Sequence, residues 1–247
     1  MTRHHLHRLL VLPTLAASAA LLTGCLPFAP PTPHSSQGDP APSVDLSQID
    51  PVAAERMMLD ALPTFSEEYA TVDSTGLDEV SFGSDWTAVD YDAMRVARVR
   101  RSTETPGWGD YSKGDSFWID VEYVLMKDEI SAAAIYNELA GPTSEPYSFD
   151  DETPEGTVRS DYTPMTPPSG RWPFGTAEQN RTRTWSNGVR VSGWVAYYLS
   201  GPIVVLIFAE AAPNNDSLAV LDAYSDEFVP ELVAAVDALP EAFAAGA

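Results

Sequence analysis

The chain has a single cysteine in 247 residues, at position 25. No disulfide can form within it, and no thiol pair is available for metal binding or redox chemistry. Histidine is almost as scarce: His4, His5, His7 and His34 are the only four. Beyond position 34 there is neither imidazole nor thiol. That excludes Ser-His-Asp and Cys-His catalysis from the remainder, together with His- or Cys-based zinc, haem and copper sites. Two of the 14 basic residues are lysines, Lys113 and Lys127. The first lies in a glycine-rich turn and the second at a strand end, poor settings for Ser-Lys catalysis. No glycine-rich phosphate loop occurs, and no cofactor or metal is implied. Positive charge is short overall, with 14 Lys+Arg against 36 Asp+Glu. Nucleic acid is therefore not an expected partner, because phosphate backbones are held by clustered Lys and Arg.

What is present begins with three zones at the N-terminus. Arg3 and Arg8 sit among histidines, an apolar run follows from Leu9 to Leu22, and then comes Leu22-Thr23-Gly24-Cys25. A charged start, a short apolar core and small residues describe an export signal. The run is shorter than the roughly 20 residues that span about 30 Å of hydrocarbon. The last four residues resemble the bacterial lipobox. That resemblance implies cleavage after Gly24 and a diacylglyceryl group on Cys25, which would hold the chain on the outer face of the cytoplasmic membrane. The plainer reading is an ordinary signal peptide with a chance cysteine. Against it, Cys25 is the only cysteine and falls at the end of the apolar core. Two acyl chains give stable attachment where one is marginal.

Removing the first 24 residues leaves 223. Two of the 14 basic and none of the 36 acidic residues leave with them, so the remainder carries −24. The lipid, not a basic patch, must then hold an anionic membrane. The bland meaning of the charge is solubility and self-repulsion. Few lysines with abundant Ala, Asp and Pro suggest a high-GC, actinobacterial source. Prolines at 27, 30, 31, 33, 40 and 42 mark residues 25–45 as an extended tether. One domain is expected over 46–247.

Asp50-Pro51 is a helix start, with the helix ending at Pro63. Residues 64–84 are mixed. Tyr91 to Ser102 reads as a strand with an Arg-rich face. From Ser116 to Met126, Phe117, Ile119, Val121, Tyr123 and Leu125 alternate with Trp118, Asp120, Glu122 and Val124. Asp128 opens a helix that Gly141-Pro142 closes. Residues 142–180 read as a long loop, which in a compact domain is commonly functional or disordered. If that loop is peripheral, deleting 145–175 leaves the domain folded. Asn187-Gly188 is a strong hairpin signal, with strands from Val189 to Leu199 and Ile203 to Glu210 about Gly201-Pro202. The apolar segment from Trp194 to Ala212 reads as a buried hairpin rather than a membrane span, since Gly201-Pro202 interrupts it. A last helix starts near Asn214, with a kink or restart expected at Pro230 and an end near Pro240. The fold class is α+β: an antiparallel sheet of about five or more strands with helices mainly on one face.

The runs Phe117 to Leu125, Ala132-Ala-Ala-Ile-Tyr, Gly188-Val-Arg-Val and Gly201-Pro-Ile-Val-Val-Leu-Ile, with an Ala-rich terminal helix, resemble the extracellular sensor domains of PknH-type kinases and related mycobacterial lipoproteins. The resemblance covers roughly residues 90–240 and is one of pattern more than identity. It implies an extracytoplasmic domain of the envelope. That sensor domain is disulfide-bonded, which this chain cannot be.

Candidate sites are few. Asp150-Asp151-Glu152 and the looser Asp73, Asp78 and Glu79 could offer oxygens to calcium, but neither has the spacing of a calcium loop and both read as solvated surface. A glycosidase pair need not be adjacent in sequence, so none is singled out among 36 acids. Aromatics are the better lead: Trp108, Tyr111, Trp118, Trp172, Phe174 and Trp185 fall in loops or on a polar strand face. Exposed Trp and Tyr mark binding surfaces, whereas buried ones merely cover the sheet. The expectation is a non-catalytic domain that binds an envelope protein, lipid or glycan. The alternatives are a carboxylate-dependent enzyme acting on cell-wall glycan or lipid, and an accessory subunit of an envelope assembly.

Overall fold

The computed structural model describes residues 46, 49–75, 94–105, 116–141, 145–153, 156–166, 168–173, 175–212 and 215–246. The signal, the whole tether with Cys25, Trp108, Tyr111, Asp78, Glu79 and Phe174 lie outside the described residues.

Helix α1 (Pro51–Asp60) begins as expected. The Asp50 carboxylate accepts from the Val52 N–H at 3.2 Å, and proline fills the first turn, where no intrahelical N–H bond is lost. Eight strands follow: β1 (Ala70–Thr75), β2 (Arg95–Glu104), β3 (Phe117–Met126), β4 (Tyr147–Thr153), β5 (Gly156–Pro164), β6 (Ala177–Trp185), β7 (Arg190–Ser200) and β8 (Ile203–Ala211). Helix α2 (Glu129–Ala140) joins β3 to β4, and helix α3 (Asn215–Gly246) comes last. All strands form one antiparallel sheet in the order β1-β2-β3-β8-β7-β6-β5-β4. The chain builds three strands, carries α2 over to the far edge, and returns strand by strand until β8 closes against β3.

The alternation read in β3 is realised. Phe117, Ile119, Val121, Tyr123 and Leu125 join a core with α1 and α3, while Val124 and Met126 join a second core with α2. Two helices therefore cover one face and the third covers part of the other. β8 is buried along its whole length because it lies mid-sheet between them. Such a strand reads as a continuous apolar run. β7 and β8 form the expected hairpin about Gly201-Pro202, and no helix among the described residues is long and apolar enough to cross a membrane.

Three expectations need correcting. The loop expected over 142–180 contains β4 and β5, paired with each other and with β6. The mixed segment 64–84 contains β1, paired with β2. The terminal helix does not end near Pro240 or restart at Pro230 but runs to Gly246 with Pro230 and Pro240 inside it. Leu221, Phe228, Val229, Leu232, Val236, Leu239 and Phe243 all bury along it. Each such side chain is worth about 1.5–3 kcal/mol, against about 3 kcal/mol per interior proline. The buried stripe outweighs both prolines.

Candidate functional site

Alternate residues of a strand face the same side. On the α2 side, β3 presents Trp118, Asp120 and Glu122, β8 presents Phe208 and Glu210, and β6 presents Arg181, Arg183 and Trp185. α2 packs over the end of this face that holds Val124, Met126, Val204 and Leu206. The rest of the face is built from charges and rings.

The charges are arranged in pairs. Arg98 bonds Glu122, both nearly fully buried. Arg100 Nε donates to Asp120 Oδ1 at 2.7 Å, and Ser102 Oγ donates to the same oxygen at 2.9 Å. Asp120 Oδ2 has no partner. Burial pushes the Asp120 carboxyl up, against the opposing pull of Arg100, Ser102 and Arg98. Farther along, Glu210 Oε1 meets Arg181 Nη1 at 3.0 Å and Glu210 Oε2 meets Arg183 Nη1 at 3.2 Å.

Arg181 and Glu210 stand on strands that are not neighbours. Between them runs β7, and its residue opposite both is Gly193. A Cβ at that position would lie 1.8 Å from the Ala209 carbonyl oxygen. No side chain fits, and with none at the crossing the guanidinium reaches over β7 to the carboxylate.

Rings fill the flanks. The Arg181 guanidinium lies 5.6 Å from the Tyr162 centroid and 5.2 Å from that of Phe208, and Arg183 lies 4.7 Å from that of Trp185. Tyr147 and Tyr162, directly paired across β4 and β5, stack at 4.6 Å with planes 2° apart. Phe149 joins them at 5.8 Å from Tyr162 and is 42% exposed. Burial and the neighbouring Tyr162 push the Tyr147 hydroxyl up to about 12, with Arg181 pulling the other way.

Trp118 and Trp185 are on this face, both half-buried. Trp172 is placed elsewhere. It is buried on the opposite side, 6.4 Å from Trp194 and 6.2 Å from Tyr198. Arg171 fixes it there by donating to Asp226 at 2.6 Å and Asp222 at 2.9 Å on α3. Its ring covers the sheet, the bland alternative weighed for the aromatics. Sequence reasoning missed Arg181, Arg183, Tyr147, Phe149 and Tyr162. Their signal was a period of two in β4 to β6: Tyr147, Phe149; Val158, Ser160, Tyr162; Arg181, Arg183, Trp185. The acidic Asp150-Asp151-Glu152 lies on β4, where Asp150 pairs Arg159 at 3.5 Å, and Asp73 is held by Arg101 at 2.6 Å. Among the described residues, no three His, Cys, Asp or Glu gather to hold a metal.

No family model matches the chain, and no curated protein matches it. Solved structures similar to it include two mycobacterial ones. The extracellular domain of PknH from Mycobacterium tuberculosis has 13% identity and a TM-score of 0.44, covering 74% of this chain and 92% of that one. An uncharacterized protein of Mycobacterium smegmatis, the Rv0999 ortholog, has 13% identity and a TM-score of 0.32, covering 78% and 99%. Likeness at this level assigns the chain no family, ligand or activity.

Proposed function

We propose that this chain is an extracytoplasmic lipoprotein, anchored through Cys25 to the outer face of the cytoplasmic membrane, whose domain binds a partner or ligand without catalysis. The anchor is read from Leu22-Thr23-Gly24-Cys25 and the apolar run before it. The binding role is supported by one observation: beyond α2 the second sheet face ends in an exposed Phe149 beside stacked tyrosines and two arginines on one carboxylate. The non-catalytic reading is supported by the chemistry of that face. Asp120, Glu122 and Glu210 are each bonded to arginine and almost wholly buried, so none is within reach of a substrate at the surface.

Two measurements test this. Cys25→Ser is expected to leave the chain unacylated, and either released from washed membranes or unprocessed; normal acylation and processing of that variant would sink the anchor. A photo-crosslinker at Phe149 in native membranes should capture a discrete product, whereas one at Val52, exposed on α1, should not. Equal capture from both positions, or none from Phe149, overturns the binding reading.

A further inference from the structure

Five asparagines occur in the chain, at 137, 180, 187, 214 and 215, and one of them, Asn187, is followed by glycine. The others precede Glu138, Arg181, Asn215 and Asp216. An asparagine side-chain amide can be attacked by the backbone nitrogen of the next residue, and a side chain on that residue hinders the approach. Glycine has none to offer. Asn187 and Gly188 are both exposed, so water reaches them. The pair is the place where this chain is chemically able to alter its own backbone.

The fold occupies both reacting groups. Ser186, Asn187 and Gly188 join β6 to β7 as a turn that ends in a left-handed glycine, φ 87°. The Gly188 N–H, whose nitrogen is the nucleophile once its proton is lost, donates to the Trp185 carbonyl at 2.9 Å. Asn187 Oδ1 accepts from the Val189 N–H at 2.9 Å. That bond holds the amide carbonyl toward Val189, one residue beyond the nitrogen that must attack it. Two more main-chain bonds pin the turn. The Trp185 N–H donates to the Val189 carbonyl at 2.8 Å, and the Ser186 N–H donates to the Thr157 carbonyl on β5 at 3.0 Å.

We infer that Asn187 is a self-modification site, converting to aspartate and isoaspartate, and that opening of the β6–β7 turn gates the reaction. Hydroxide takes the proton from the Gly188 nitrogen. That nitrogen bonds to Asn187 Cγ, the Cγ–Nδ2 bond breaks, and the side-chain nitrogen leaves as ammonia. Water then opens the five-membered imide at either carbonyl, giving aspartate or isoaspartate. One water is consumed and one ammonia released, with no oxidant, metal or second protein. A proton shared with the Trp185 carbonyl is not free to leave, so the ring closes only in molecules whose turn is open. The two products differ in what they keep. Aspartate at 187 retains an oxygen for the Val189 N–H. Isoaspartate puts an extra carbon into the main chain, so the bonds joining residues 185, 188 and 189 no longer close. Trp185, whose ring lies 4.7 Å from the Arg183 guanidinium, then loses both of its main-chain ties across the turn.

The test holds the full chain in detergent at mildly alkaline pH, native and in urea. Digests are read by mass spectrometry with electron-transfer fragmentation, which tells isoaspartate from aspartate. In urea, Asn187 is expected to react ahead of the other four asparagines. In the native chain it should react about tenfold or more slowly, the equilibrium weight of opening one to two hydrogen bonds. Exchange of the Gly188 amide, followed by NMR, should be slowed by the same factor, since both events need the same opening. Asn187→Gln, which keeps an amide oxygen but requires a six-membered ring, should abolish the product. The isoaspartyl chain, separated by anion exchange, should unfold at lower urea than Asn187→Asp. Another asparagine reacting first, a native rate as fast as that in urea, slow reaction beside an unprotected Gly188 amide, or equal urea midpoints for the two products each overturns the inference.

Discussion

At the scale of single residues, Gly193 sets the terms for the polar half of the second face. Its backbone lies too close to Ala209 for any side chain, and the obstacle is main chain, which cannot swing aside. Gly193→Ala is expected to cost about 3 kcal/mol or more, at the upper end of overpacking, read as a lower urea midpoint. Asp120 makes a different prediction. Its carboxyl is pushed above the ordinary range by burial, so it stabilises the fold when protonated. That contribution is complete below the unfolded value and is lost as pH rises through the folded one. Urea unfolding at stepped pH should show wild-type stability falling across that window, with a shallower fall in Asp120→Asn. Identical slopes would rule Asp120 out as the source. Neither residue's role was legible in the sequence. Glycine in a strand is a weak signal of close approach, and a carboxylate in a strand gives no sign of whether its partner lies across the sheet.

Elements were legible where one local cause dominates. The caps at Asp50 and Asp128 need only a side-chain oxygen and a free N–H two or three residues on, and both bonds are formed, from Val52 and Ser131. The turn at Asn187-Gly188 needs a left-handed glycine, and Gly188 has φ 87°. β3 and β8 were legible because both of their faces are buried. β4 and β5 were not, because β4 is the edge strand and β5 its neighbour, each with one side in solvent, and Asp150-Asp151-Glu152 and the Ser, Thr and Pro residues around them hide a half-alternation. The correction reverses an expectation. Deleting 145–175 removes both strands and exposes the ring and arginine side of β6, so loss of the cooperative urea transition is expected. A retained sharp transition would mean that β4 and β5 are dispensable. In α3, Pro230 is exposed and lacks the N–H its turn requires. Pro230→Ala is expected to raise stability by about 2–2.5 kcal/mol, the helix cost of proline less the chain entropy it removes from the unfolded state, seen as a higher urea midpoint.

For the molecule as a whole, composition carries exclusions but says little of assembly. The missing histidine and thiol, and the excess of acid, are properties of the chain and survive folding unchanged. Where Arg183 stands is a property of register, since Arg183, Ser160 and Phe149 are brought into line only when three strands pair. The strand order has a further consequence. The middle of the sheet joins Leu125 to Ile203 and Phe117 to Ala211, so the early strands wait on the last one made. Contacts between such distant segments form slowly, because their loop must close before they can stabilise anything. A chain delivered N-terminus first holds β3 with one flank open until β8 arrives. Its assembly is therefore timed by its C-terminal end: the domain stays threadable while it is incomplete, and becomes a solid body only once nearly all of it has come through.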